Sequence, residues 1–170
     1  SLNLDFNFPF YGNMYSSLII NANGWVGFGS DNAGWENSTI PSSDAPSPAI
    51  FAFWDDLNPD NDNCSNGCSG NVFYHSNEER FIVWFEDVAH WPTNYPNSYY
   101  NFQVVLYPDG GIDLNYKTIV GLYSPTIGMQ DDANNAILLA FANNPTEELF
   151  VHNDFSVPIS MRAHWLSINP

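Results

Sequence analysis

The sequence predicts an all-β protein, an antiparallel β-sandwich of roughly ten or eleven short strands with long loops and at most one short helical turn. Three observations carry this. Along many short stretches apolar residues alternate with polar ones, the period of a strand with one buried face. Clusters of Gly, Pro, Asn and Asp divide these stretches at close intervals, which are the residues that turns select for their backbone freedom or local hydrogen bonds. Finally, no window of about a dozen residues has the three-to-four spacing of an amphipathic helix.

From the N-terminus, Leu2, Leu4, Phe6, Phe8 and Phe10 share one parity and Asn3, Asp5, Asn7 and Pro9 the other. Pro9 has no N–H to give to a ladder, so this strand ends at a sheet edge or a bend. Tyr11-Gly12-Asn13 turns the chain. Leu18-Ile19-Ile20 and Trp25-Val26-Gly27-Phe28 then flank Asn21-Ala22-Asn23-Gly24, where Asn-Gly is a strong hairpin signal. Residues 30–48 are rich in Ser, Asn, Asp, Gly and Pro and read as a long surface loop.

Ile50, Phe51, Phe53 and Trp54 form a strand buried on both faces, and Val72 to His75 form another. Phe81 to Phe85 is apolar at every position, the pattern of a central strand covered on both sides. Phe102, Val104 and Leu106, the turn Pro108-Asp109-Gly110-Gly111, and Ile112, Leu114 and Tyr116 make a hairpin. Ile127 to Met129, Ile137 to Phe141 and Val157 to Trp165 complete the strands. Asn144-Pro145-Thr146-Glu147-Glu148 has the chemistry of a helix start and is the place for the one helical turn.

At 170 residues the chain fits a single domain, long enough to bury roughly 70% of its extended surface. Only Arg80, Lys117 and Arg162 are basic, against nineteen acidic residues, for a net charge of −16. That balance repels phosphate backbones and anionic lipid, which excludes nucleic acid as a partner. No apolar run approaches the length of a transmembrane helix, so membrane insertion is excluded as well. Cations are the natural counterpart of such a surface.

Ile50 to Asn63 reads IFAFWDDLNPDNDN, an apolar strand that ends in oxygen-bearing side chains. Calcium takes six to eight oxygens, so Asp55, Asp56, Asn58, Asp60 and Asp62 are the candidate ligands of a calcium ion. A regular strand would turn Asp55 and Asp56 to opposite sides, leaving one of them to ligate with the loop. Asp131, Asp132 and Asn134 are a second, sparser cluster. The first cluster lacks the Gly and Glu positions of an EF-hand. Cys64 and Cys68, in CSNGC, read as a disulfide that stiffens its own loop, which places the protein outside the reducing cytosol.

His90 to Tyr100 reads HWPTNYPNSYY. Aromatic faces stack on sugar C–H groups while Asn and Tyr bond hydroxyls, so Trp91, Tyr95 and Tyr99, with Trp35 as a possible neighbour, are candidates for glycan contact. The alternative is that these rings close the edge of the core. His75, His90, His152 and His164 are scattered and spell no metal site. No G-x-S-x-G elbow or Gly-rich phosphate loop occurs, and no carboxylate pair stands out as the acid and base of a glycosidase. Catalysis is not expected.

The order Phe8-Pro9-Phe10-Tyr11-Gly12, Asn21 to Gly29, Ile50 to Leu57, Arg80 to Trp84, Asn101 to Gly110 and Thr126 to Met129 resembles that of nidogen-type (NIDO-like) extracellular modules. The resemblance covers roughly residues 4–130. The cysteine loop, Asp60 to Asn63, and residues 131–170 depart from it. It implies a non-catalytic module, residues 1–170, of a larger secreted or surface protein with neighbouring domains. The function expected is calcium-stabilised binding or adhesion to an extracellular glycan or protein. A carbohydrate-binding accessory domain of a secreted hydrolase is the alternative, and a hydrolase in its own right the third reading.

Overall fold

The computed structural model describes residues 1–29, 34–59, 69–91, 98–121, 125–132, 134–141 and 161–164. Among them the chain forms twelve strands and no helix. Eleven are those anticipated from the sequence. The twelfth is the two-residue piece Leu57–Asn58, too short to leave a pattern.

The first sheet contains β1 (Leu2–Phe10), β2 (Asn13–Asn21), β3 (Trp25–Gly27), β4 (Ala49–Trp54), β10 (Thr126–Asp132) and β11 (Asn135–Phe141), side by side in the order β1-β2-β3-β4-β10-β11. The second runs β12-β9-β8-β7-β5, built from β5 (Leu57–Asn58), β7 (Arg80–His90), β8 (Tyr99–Leu106), β9 (Ile112–Val120) and β12 (Met161–His164). β6 (Asn71–Asn77) pairs with β7 along residues 80–86, and β5 continues the same side at Ala89 and His90. All pairs are antiparallel except β12 with β9, which is parallel. Pro9 lies on edge strand β1, as its missing N–H requires.

The core lies between the sheets, where the inward rows of both interleave. Phe53 from β4 meets Tyr100 and Phe102 of β8 at ring distances of 4.5 and 5.6 Å, and Phe102 stacks on Phe85 at 4.6 Å. Phe8, Phe10, Leu18, Ile50, Phe81 and Leu114 fill the space around them. The Tyr116 hydroxyl reaches across to donate to the Ala52 carbonyl at 2.6 Å.

One expectation needs correction, and one needs extending. β7 is central, but it is not covered on both faces: Phe81, Val83 and Phe85 point inward and are buried, while Ile82 and Trp84 point outward and are only half-buried. A run of apolar residues therefore overstated the burial. The polar stretch read as a surface loop is one, and it also serves as a lid. Residues 34–48 lie over the outward residues of β3 and β4, and Ile40 and Ala45 join Trp25, Phe51 and Trp54 in a second apolar cluster. Gly34 accepts from both indoles, at 3.2 Å from Trp25 and 2.9 Å from Trp54. Gln130, fully buried, accepts from the Ser42 N–H at 2.9 Å and donates to its carbonyl at 2.8 Å. Thr126 donates to the Ser38 carbonyl at 2.6 Å.

Candidate functional site

The end of β4 is a corner at which the chain leaves one sheet for the other, since β4 belongs to the first, β5 to the second, and only Asp55 and Asp56 lie between. A β-bulge prepares it. The N–H groups of Ala52 and Phe53 both donate to the Gly24 carbonyl, at 3.2 and 3.0 Å. Against β10, the three steps from Phe51 to Trp54 answer two steps from Gly128 to Thr126. The extra residue reverses the alternation. Phe51 and Trp54 thus share the outer face, with their rings stacked at 4.7 Å, while Phe53 enters the core.

Gly24 makes this possible in two ways. Its φ of +79° is one that residues with a side chain rarely adopt, and a Cβ on it would run into the Phe53 carbonyl. The neighbouring Asn23 braces the corner. Its carbonyl accepts from the Asp55 N–H at 3.3 Å and its side-chain oxygen from the Leu57 N–H at 3.1 Å.

With the alternation reversed, Asp55 is the buried member of the acidic pair, 5% exposed, and Asp56 is half-buried. Asp55 Oδ1 lies 3.2 Å from Nε2 of His90, itself 8% exposed at the end of β7. A carboxylate only accepts, so the ring carries its proton on Nε2. The other oxygen of Asp55, Oδ2, is buried and has no hydrogen-bond partner among the described residues. Burial lifts the Asp56 carboxyl above its ordinary pKa, the His90 ring opposes this, and the Asp55 charge adds to it. The Asp56 carbonyl accepts from the Trp91 N–H at 2.7 Å, tying the corner to the β7 end.

The candidate metal ligands are thus brought together only in part. Asp55, Asp56 and Asn58 line one corner, whereas Asp60 and Asp62 lie outside the described residues, as do Cys64 and Cys68. Among the described residues no group of three or more His, Cys, Asp or Glu side chains is placed to hold a metal ion. The second cluster is apart from the first: Asp131 ends near Tyr11 and Tyr15, raising the pKa of both after burial does, and Asn134 is exposed.

Of the aromatic candidates, Trp91 is 48% and Tyr99 41% exposed, at the end of β7 and the start of β8. Tyr95 lies outside the described residues, and so does the proposed helical turn at Asn144 to Glu148. Trp35, 56% exposed, belongs to the lid over the first sheet, next to Gly34, whose carbonyl accepts from the Trp54 indole. The sequence reading missed His90 as the partner of Asp55. The two are 35 residues apart, and a single His offers no spacing to recognise.

A two-sheet β module with a chain-switching corner is the class this geometry defines. A model of the NIDO-related family matches residues 1–160. The chain belongs to that family, one of domains typical of extracellular proteins. Neither curated proteins nor solved structures gave a match.

Proposed function

We propose that the chain is a non-catalytic, calcium-braced module of an extracellular or cell-surface protein, serving adhesion or recognition of a glycan or protein ligand. The observation that supports this is Asp55. A buried carboxylate oxygen without a partner is unfavourable, and a hard cation bound through oxygen relieves it. Asp56 stands beside it at the corner and Asn58 follows on β5. Asp60 and Asp62, next along the chain, are the further oxygen donors of this reading. Calcium at such a place holds the switch from one sheet to the other, so its role is to brace the module and the loop beyond.

The test is thermal unfolding of the EDTA-treated chain with and without calcium. At a free concentration a hundred times Kd, binding adds about 2.7 kcal/mol, a rise in Tm of roughly 5–10 °C for a chain of this size. Asp56→Asn, which leaves the His90 contact intact, should remove most of the rise. An unchanged Tm in calcium for the natural chain would discard the reading.

A further inference from the structure

The outer face of the second sheet carries a straight cross-strand row. Phe73 of β6 is paired with Trp84 of β7, Trp84 with Gln103 of β8, and Gln103 with Asn115 of β9. Three strand spacings make this row about 14 Å long. Phe73 is 46% exposed, the other three are half-buried, and the rings of Phe73 and Trp84 lie 5.6 Å apart, tilted by 41°.

The indole is held in place by a relay of polar groups. Trp84 Nε1 donates to Asn101 Oδ1 at 2.9 Å, and Asn101 Nδ2 donates to Asp87 Oδ1 at 2.9 Å. Asn101 is 4% exposed, and Asp87 has a φ of +50° at the bulge that interrupts the β7–β8 register. A buried amide and a backbone held in a sparsely populated conformation fix the plane of a ring that solvent still reaches. Residues held in such conformations cluster at functional sites. Beside the ring, the side-chain amides of Gln103 and Asn115 have no hydrogen-bond partner among the described residues, so their donors and acceptors are open to a ligand.

We propose that this row is a binding face for a neutral polysaccharide. The fixed indole and Phe73 offer apolar planes to the C–H faces of sugar rings, and the two amides, each both donor and acceptor, match hydroxyl groups. Charge selects the occupant. The net charge of −16 repels acidic glycans, and the four residues of the row carry no charge to attract a cationic partner. This site is distinct from Trp91 and Tyr99 and does not depend on calcium at Asp55.

Native affinity electrophoresis tests it, using the full chain in gels cast with hydroxyethyl cellulose, glucomannan or soluble starch. At least one of these should retard the natural chain. Trp84→Ala and Phe73→Ala should each weaken retardation about tenfold or more, and Trp91→Ala should not change it. Phe73 is exposed enough for its variant to keep the fold, which an unchanged urea midpoint will verify. No retardation by any of the three, retardation of Trp84→Ala and Phe73→Ala equal to that of the natural chain, or loss only in Trp91→Ala overturns the proposal. So does retention by immobilised polylysine alone, which would assign the acidic surface to a basic protein instead.

Discussion

On the first sheet the outward aromatic residues Trp25, Phe51 and Trp54 are at most 1% exposed beneath the lid of residues 34–48, whereas on the second Phe73 is 46% exposed and Trp84 half-buried. Both faces are aromatic, and both give an indole N–H an oxygen to bond. The difference lies in what holds the oxygen. Gly34 belongs to a covering loop that itself buries apolar surface, so its bonds to Trp25 and Trp54 complete a second core. Asn101 belongs to the sheet, and the Trp84 it holds is only half-buried. An aromatic residue on the outer face of a sandwich is thus structural or available according to whether a connecting loop folds back over it.

The strongest challenge to this contrast is a pair of truncations. Trp54→Ala should cost about 3–5 kcal/mol in urea unfolding, the range for a large ring removed from a packed core. Trp84→Ala should cost less than half of that, because its ring is already partly in water. Equal losses would mean that the second face is as much a core as the first.

Gly24→Ala probes how the covered face is set up. It should destabilise by more than about 1 kcal/mol, since Ala must take a positive φ and its Cβ meets the Phe53 carbonyl. If its urea midpoint matched that of the natural chain, the bulge would not be what sends Phe51 and Trp54 to one side.

The smallest effect is one of pH, and it extends the contrast from indoles to phenols. Burial, with the Asp131 charge adding to it, pushes Tyr11 from 10.0 up to about 12. The folded state therefore keeps a proton that the unfolded chain releases first. The stability from the neutral phenol is complete below pH 10, and it falls as pH rises from there through about 12. Ultraviolet titration of the phenolates should show a step at about pH 12 that Tyr11→Phe removes, while Tyr100 and Tyr116, raised further by burial, titrate later still. The same step in that variant would assign it to another buried ring.

Much of the fold was legible because strand alternation and turn chemistry are local. The hairpin at Asn23-Gly24, the turn at Pro108 to Gly111 and the edge position of Pro9 follow from the residues at those places. The corner was legible only in part. Asp55 and Asp56 stood out as an acidic pair of which one member faces inward, but which one is decided by the bulge at Ala52 and Phe53. That bulge depends on a carbonyl of Gly24, 28 residues before Ala52 in the numbering.

By itself, the sequence determined the all-β class, eleven of the strands, the family resemblance and the place where apolar strand gives way to carboxylates. The tertiary structure decided which carboxylate is buried and that His90 meets it. It also decided that β12 runs parallel to β9, and that aromatic residues are hidden on one sheet and open on the other. The reason is one of range. A residue's own neighbours set its backbone period, but its exposure is fixed by whatever segment packs over it, and here that segment is a polar loop whose apolar contacts are too few to announce a lid.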